Sequence, residues 1–384
     1  MSRWKNWTVV AATGALSASA LIAGPAEVAA AAAPTYAFTT VVSGVAIPWD
    51  VTWVGSTMLF DQRAGGVYTV PRGGAPQRVT GPFPQPFAES EGGVLGMVAD
   101  PNAATNRVFY LCQTVQSSKD VQVRRYRLSK DGRSAATVGT GKPLIKGIPL
   151  SSGRHSGCRL RFSAKGMLYV GTGDAAQYKN PQRKSSLGGK VLRIHPDGRL
   201  ATSNPYYRSG GNARYIWNYG HRNVQGLALQ PGTDRMYSAE QGTDRDDEVN
   251  LVRKGANYGW DPGPRGGYDE NRPMTDLKKY PKAVSAIWKS GDPTKATSGI
   301  TFLQGSTWGT WNGALAVARL KANGVQLLFL NKAGKVTSTK VVPGTKAYGR
   351  VRTVQLGPDG VLYFTTSNSE GSQRVDKIVR MTPR

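Results

Sequence analysis

One short pattern recurs six times along this chain: a turn of Gly, Asp, Asn or Pro, followed by a run rich in apolar, β-branched and aromatic residues. It reads Gly55-Ser-Thr-Met-Leu-Phe-Asp61, Asn106-Arg-Val-Phe-Tyr-Leu111 and Lys165-Gly-Met-Leu-Tyr-Val170 in the first half. It returns as Thr233-Asp-Arg-Met-Tyr-Ser238, Trp311-Asn-Gly-Ala-Leu-Ala-Val317 and Asp359-Gly-Val-Leu-Tyr-Phe364. Further short alternating runs flank each copy, such as Val123–Leu128 and Lys190–Ile194. Long helical periodicity is absent, so the chain reads as all-β. Copies about 50 to 80 residues apart suit one four-stranded blade plus its loops. The expectation is a six-bladed β-propeller rather than a pair of β-sandwiches, which need no six matching units. In such a ring, loops distant in sequence meet at a central channel.

The first 33 residues read as a signal peptide outside the fold. Arg3 and Lys5 precede an apolar, small-residue stretch and an alanine run with several small-x-small cleavage sites. The stretch is too short and too rich in Ala, Ser, Thr and Gly for a membrane anchor. Residues 34–384 then form a single exported propeller domain. Export permits and favours a disulfide between the two cysteines, Cys112 and Cys158, with two buried thiols as the alternative that spacing leaves open.

The net charge is +26, and removal of Arg3, Lys5 and Glu27 leaves +25. Such a balance favours loose attraction to anionic surfaces such as a cell envelope. Nucleic acid is not the expected partner, because the cations are scattered and no helix-turn-helix, zinc or RNA-module signature accompanies them.

Only three histidines are present, His155, His195 and His221, so the choice of a general base is narrow. His155 lies in Ser152-Gly153-Arg154-His155-Ser156-Gly157-Cys158. Other polar turns are Glu89-Ser-Glu91, Gly171-Thr-Gly173-Asp174, His221-Arg222-Asn223-Val-Gln225 and Glu240–Glu248. The acidic run from Asp244 to Glu248 suits a hard cation such as calcium, or else is a solvated turn. It is no EF-hand, since Val249 stands where glycine is needed. Arg350 and Arg352 alternate on a strand and share a face, and with Lys321 from another blade they make an anion pocket.

These segments resemble the soluble, pyrroloquinoline-quinone (PQQ)-dependent aldose sugar dehydrogenases, the glucose/sorbosone dehydrogenase family. The resemblance runs from Pro48-Trp49-Asp50 to the C-terminus and is most specific over 153–174, 221–226 and 240–260. It implies a secreted or periplasmic propeller that oxidises the C1 hydroxyl of aldoses to lactones and passes electrons to an external acceptor. On that resemblance His155 is the base, Asp174 supports it, and Arg222 stabilises charge on the quinone. Arg222, Asn223, Gln225, Lys321, Arg350 and Arg352 hold the cofactor, and Glu91 and Gln182 face the substrate. Gly242 and Thr243 bind the cofactor's calcium through backbone carbonyls, and Asp247, Glu248 and Tyr258 are candidates for a second calcium.

This sequence departs from the family pattern at four of these positions. Glu91 stands for glutamine, Arg154 for an acidic residue, Thr243 for proline and Cys158 for glycine. The loops look short, which implies an open pocket and broad aldose acceptance. Two other readings stay open on the residues: a non-catalytic propeller binding glycan or envelope polymer, and a metal-dependent lactone hydrolase.

Overall fold

The computed structural model describes residues 1–2, 32–71, 73–263 and 267–384. The expected signal peptide falls almost wholly outside the described residues. Ala33–Arg384 form one compact unit. Six small antiparallel sheets make up a six-bladed β-propeller.

Five blades are contiguous in sequence. Their innermost strands are Val51–Val54, Val94–Ala99, Arg159–Phe162, Val224–Leu229 and Thr297–Phe302. The sixth blade runs outward from Val351–Leu356 through Leu362–Thr366 and Asp376–Pro383, and the N-terminal strand Tyr36–Val45 is its outermost member. The two chain ends are thus hydrogen-bonded, with Tyr36 opposite Pro383, and the ring closes on sheet bonds rather than on packing alone. The six sequence repeats are the second strands of the six blades. Buried on both faces, they carry near-continuous apolar runs, as in Val108–Val115 and Leu362–Thr366.

Two devices tie the blades together near the axis. The disulfide Cys112–Cys158 joins the second strand of blade two to the residue preceding the inner strand of blade three, across a sequence separation of 46. Arg159 lies 2 % exposed in the central tunnel. It pairs with Asp50 of blade one at 2.5 Å and donates to Gln225 O of blade four at 2.8 Å and Thr353 Oγ1 of blade six at 2.9 Å. Arg161, two residues on, donates to Leu227 O and Gln355 Oε1, and burial pushes its guanidinium down to about 10. The pair links blade three to blades four and six across the axis.

Among the described residues, no helix is long and apolar enough to cross a membrane.

Candidate active site

His155 sits on the loop entering blade three, 3 % exposed, with a positive φ of 52°. A non-glycine residue in that region stores strain and is commonest at functional sites. Its loop is locked by close backbone contact: a Cβ on Gly173 would lie 1.8 Å from the His155 carbonyl oxygen. Nδ1 of His155 is 2.9 Å from Asp174 Oδ1.

Asp174 is fully buried and completely partnered. Its Oδ1 also accepts the Ala176 N–H at 2.8 Å, and its Oδ2 accepts Trp260 Nε1–H at 2.8 Å and the Tyr268 hydroxyl at 2.6 Å. A carboxylate with four donors is an acceptor only, so His155 carries its proton on Nδ1. Among the described residues Nε2 of His155 has no partner, which leaves it free to accept a proton. Tyr268 Oη also lies 3.1 Å from His155 Nδ1, and burial, then the Asp174 charge, pushes its phenol far above the ordinary range. It stays neutral and donates.

The other two histidines are placed differently. His221 is buried with both ring nitrogens engaged, by Glu240 Oε1 at 2.8 Å and Asn218 Oδ1 at 3.0 Å, and it stacks on Tyr258. His195 belongs to a turn, its N–H bonded to Arg199 O.

Arg222 stands beside the His155 cluster. Its guanidinium donates to Gln241 O at 3.1 Å and to Glu270 Oε2 at 2.9 Å, while Nε is buried without a partner. Burial lowers its proton affinity, but its acidic neighbours Glu270 and Asp174 oppose that, and it is held above the ordinary arginine value. Glu270 also pairs with Arg154, so the departure at position 154 is balanced by an acid from another loop.

Next to this cluster opens a cavity of about 580 Å³ lined by Trp49, Arg63, Glu91, Gln241, Arg350 and Arg352, among others. Arg352 lies 3.9 Å over the Trp49 ring and donates to Gln225 Oε1 at 2.9 Å, with Nε unpartnered. Burial lowers its guanidinium to about 9, against the opposing pull of Glu91. Arg350 is exposed and spends only Nε, on Ser367 O. Asn223 and Gln225 of blade four are buried behind the cavity wall and donate to Glu91 Oε2 on it, at 2.9 and 3.2 Å. The imidazole cluster of blade three and the cations of blade six therefore meet through Asn223 and Gln225. Lys321 does not join them: it is exposed, with its N–H on Lys295 O, and is absent from the cavity wall.

The calcium candidates divide. Gly242 is buried in a tight turn, where a Cβ would meet Arg245 O at 2.0 Å and Asp247 Oδ1 holds the N–H at 3.0 Å. Among the described residues no hydrogen bond ends on the carbonyls of Gly242 or Thr243. Asp247, Glu248 and Tyr258 share no partner and form no common ligand set. Asp247 and Glu248 are adjacent at a strand start and so point to opposite sides. Asp247 serves Gly242, Thr294 and Lys295, while Tyr258 donates to Leu251 O. Glu248 is pushed up to about 7, by burial first and the Glu240 charge second. Among the described residues no three His, Cys, Asp or Glu side chains gather as a metal site.

Gln182 spends its whole amide on Asn257 and Trp260 O, bracing the Trp260 that touches Asp174. The expectation of short loops fails at blade four, where residues 252–287 separate strand Glu248–Leu251 from Trp288–Lys289. That segment supplies Trp260, Tyr268 and Glu270. None was singled out for a role from sequence, because one Tyr and one Glu in a polar loop carry no local signature.

The ring of six blades thus carries an oriented imidazole beside a cationic cavity, and its family is one of oxidoreductases. The chain belongs to the Glucose / Sorbosone dehydrogenase family, whose model matches residues 45–380. It is 27% identical to the aldose sugar dehydrogenase of Escherichia coli over 88% of this chain and 90% of that protein. It is 27% identical to quinoprotein glucose dehydrogenase B of Acinetobacter calcoaceticus, over 77% of each chain. The PQQ-bound aldose sugar dehydrogenase of Streptomyces coelicolor superposes with a TM-score of 0.73 at 26% identity, covering 92% of this chain and all of the other.

Proposed function

We propose that this protein is a PQQ-dependent dehydrogenase that oxidises the C1 hydroxyl of aldose sugars to lactones. One observation carries the reading: Nδ1 of His155 is fixed by a saturated Asp174 while Nε2 stays free, next to a cavity lined by arginines with unspent donors. The donor set fits a polycarboxylate quinone, because guanidinium groups bind carboxylates bidentately and two buried Nε–H groups lack partners. Arg350 and Arg352 would hold the carboxylates, with Asn223, Gln225 and Arg222 on the ring oxygens. The carbonyls of Gly242 and Thr243 would hold calcium. When bound, the quinone supplies the two-electron acceptor that takes hydride from C1, polarised by the metal.

The chain's own residues do the rest. His155 Nε2 accepts the C1 hydroxyl proton as the C–H bond breaks and the carbonyl forms. Asp174 stabilises the resulting imidazolium, and Arg222 supplies fixed positive charge where negative charge develops. Turnover requires an external electron acceptor. A signal peptide at residues 1–33 would export the propeller, where its basic surface meets anionic envelope polymers.

The test is addition of PQQ and calcium to the purified protein, followed by dye reduction with a panel of aldoses. A cofactor spectral change with aldose-dependent reduction is expected. Absence of both leaves the glycan-binding propeller as the better reading.

A further inference from the structure

We propose that Glu91 is an internal occupant of the seat for an anionic quinone, and that its charge sets how tightly this chain retains that cofactor. The inference rests on the quinone reading above and adds a residue that limits affinity.

Glu91 Oε2 accepts hydrogen bonds from Asn223 Nδ2 at 2.9 Å and Gln225 Nε2 at 3.2 Å. The other ends of both amides are committed elsewhere. Asn223 Oδ1 accepts the Gly157 N–H at 3.2 Å, and Gln225 Oε1 accepts from Arg352, Ser298 and Gln241. Each amide therefore spends an N–H on Glu91, and Asn223 Nδ2 also lies 3.5 Å from Gln241 Oε1. The same carboxylate lines the cavity with Arg63, Arg350 and Arg352, and Glu370 is a second acid at its exposed edge. The seat contains an anion of its own.

That anion is held in place. Arg63 Nη1 shares its two N–H groups among the carbonyls of Ala88, Ser90 and Gly92, at 2.9, 2.9 and 3.1 Å, stitching down the loop on both sides of Glu91. Ser90 is left-handed at φ 52°, and a Cβ on Gly93 would lie 2.1 Å from Arg63 O. A loop so constrained does not swing its carboxylate away freely. An entering polycarboxylate meets a field already reduced by one charge, and it competes for the Asn223 and Gln225 donors. Glutamine at this position would accept the same two hydrogen bonds through Oε1 without the charge, so the substitution isolates electrostatics from shape.

The experiment is calorimetric titration of PQQ, with calcium present, into the full-length protein and Glu91→Gln, at low and high salt. The variant is expected to bind at least tenfold tighter at low salt, with the ratio shrinking as salt screens the charge. Equal or weaker binding by Glu91→Gln overturns the proposal while leaving the quinone reading intact. A ratio independent of salt overturns it as well. Failure of both proteins to bind overturns the quinone reading and this one together. Glu91→Ala, with a melting curve to establish folding, is expected to shift affinity in the same direction, and a loss of binding there also overturns the proposal.

Discussion

Blades three and four present His155 inside a cluster whose polar atoms are nearly all spent on one another, whereas blades one and six present Arg63, Arg350 and Arg352 with donors to spare. On the first side Asp174 has four hydrogen-bond donors and His155 has one nitrogen fixed. On the second, Arg352 Nε is buried without a partner and Arg350 uses one of its three nitrogens. On the function proposed above, the contrast follows from what each side would do. A proton acceptor works only in the correct tautomer, so its surroundings must be complete before substrate arrives. A cationic seat works only if its donors are unspent, because a satisfied guanidinium gains little from an incoming carboxylate.

The sharpest way to break this comparison is His155→Asn. It should lower aldose turnover by about a thousandfold with PQQ affinity unchanged in a titration. Loss of affinity in that variant would mean that the two sides are not separable. Changing Arg350 and Arg352 together to Gln should have the opposite signature. PQQ affinity should fall about a hundredfold, with kcat at saturating cofactor largely retained; a large kcat defect would place these arginines in the chemistry.

Tyr268→Phe should cost about tenfold in kcat, with KM near wild type. Removing a donor from Asp174 makes that carboxylate a stronger partner for the imidazole. The pH at which kcat rises should therefore move upward, whereas an unshifted profile would reduce Tyr268 to a packing role. The smallest effect is expected outside both sides, at Glu248. Its carboxyl is raised from 4.5 to about 7 in the fold, so the folded state favours the protonated form. Stability is fullest below pH 4.5 and declines as pH rises towards 7. Glu248→Gln should remove that decline and melt a few degrees higher than wild type at pH 8, with no difference at pH 4.

Much of this was legible because it is local. The repeated turn-and-strand pattern marks the second strand of every blade, since burial on both faces demands apolar, β-forming residues there. His155 stood out because three histidines leave little choice, and the strand pair Arg350 and Arg352 does line one cavity. Lys321 and the set Asp247, Glu248 and Tyr258 were harder. Their residue types suit an anion pocket and a calcium site, but convergence depends on which way each blade edge turns.

The sequence by itself determined the ring and the number of blades, and narrowed the candidates for a proton acceptor to three histidines, because strand periodicity and histidine scarcity are properties of the chain alone. Only the tertiary structure decided that Trp260, Tyr268 and Glu270, from a loop on blade four, would finish the site begun by blade three. It alone placed Glu91 on the Asn223 and Gln225 amides, more than 130 residues away along the chain. The physical reason is that hydrogen bonding at a propeller's axis is set by where six loops meet, and no single segment encodes that meeting point.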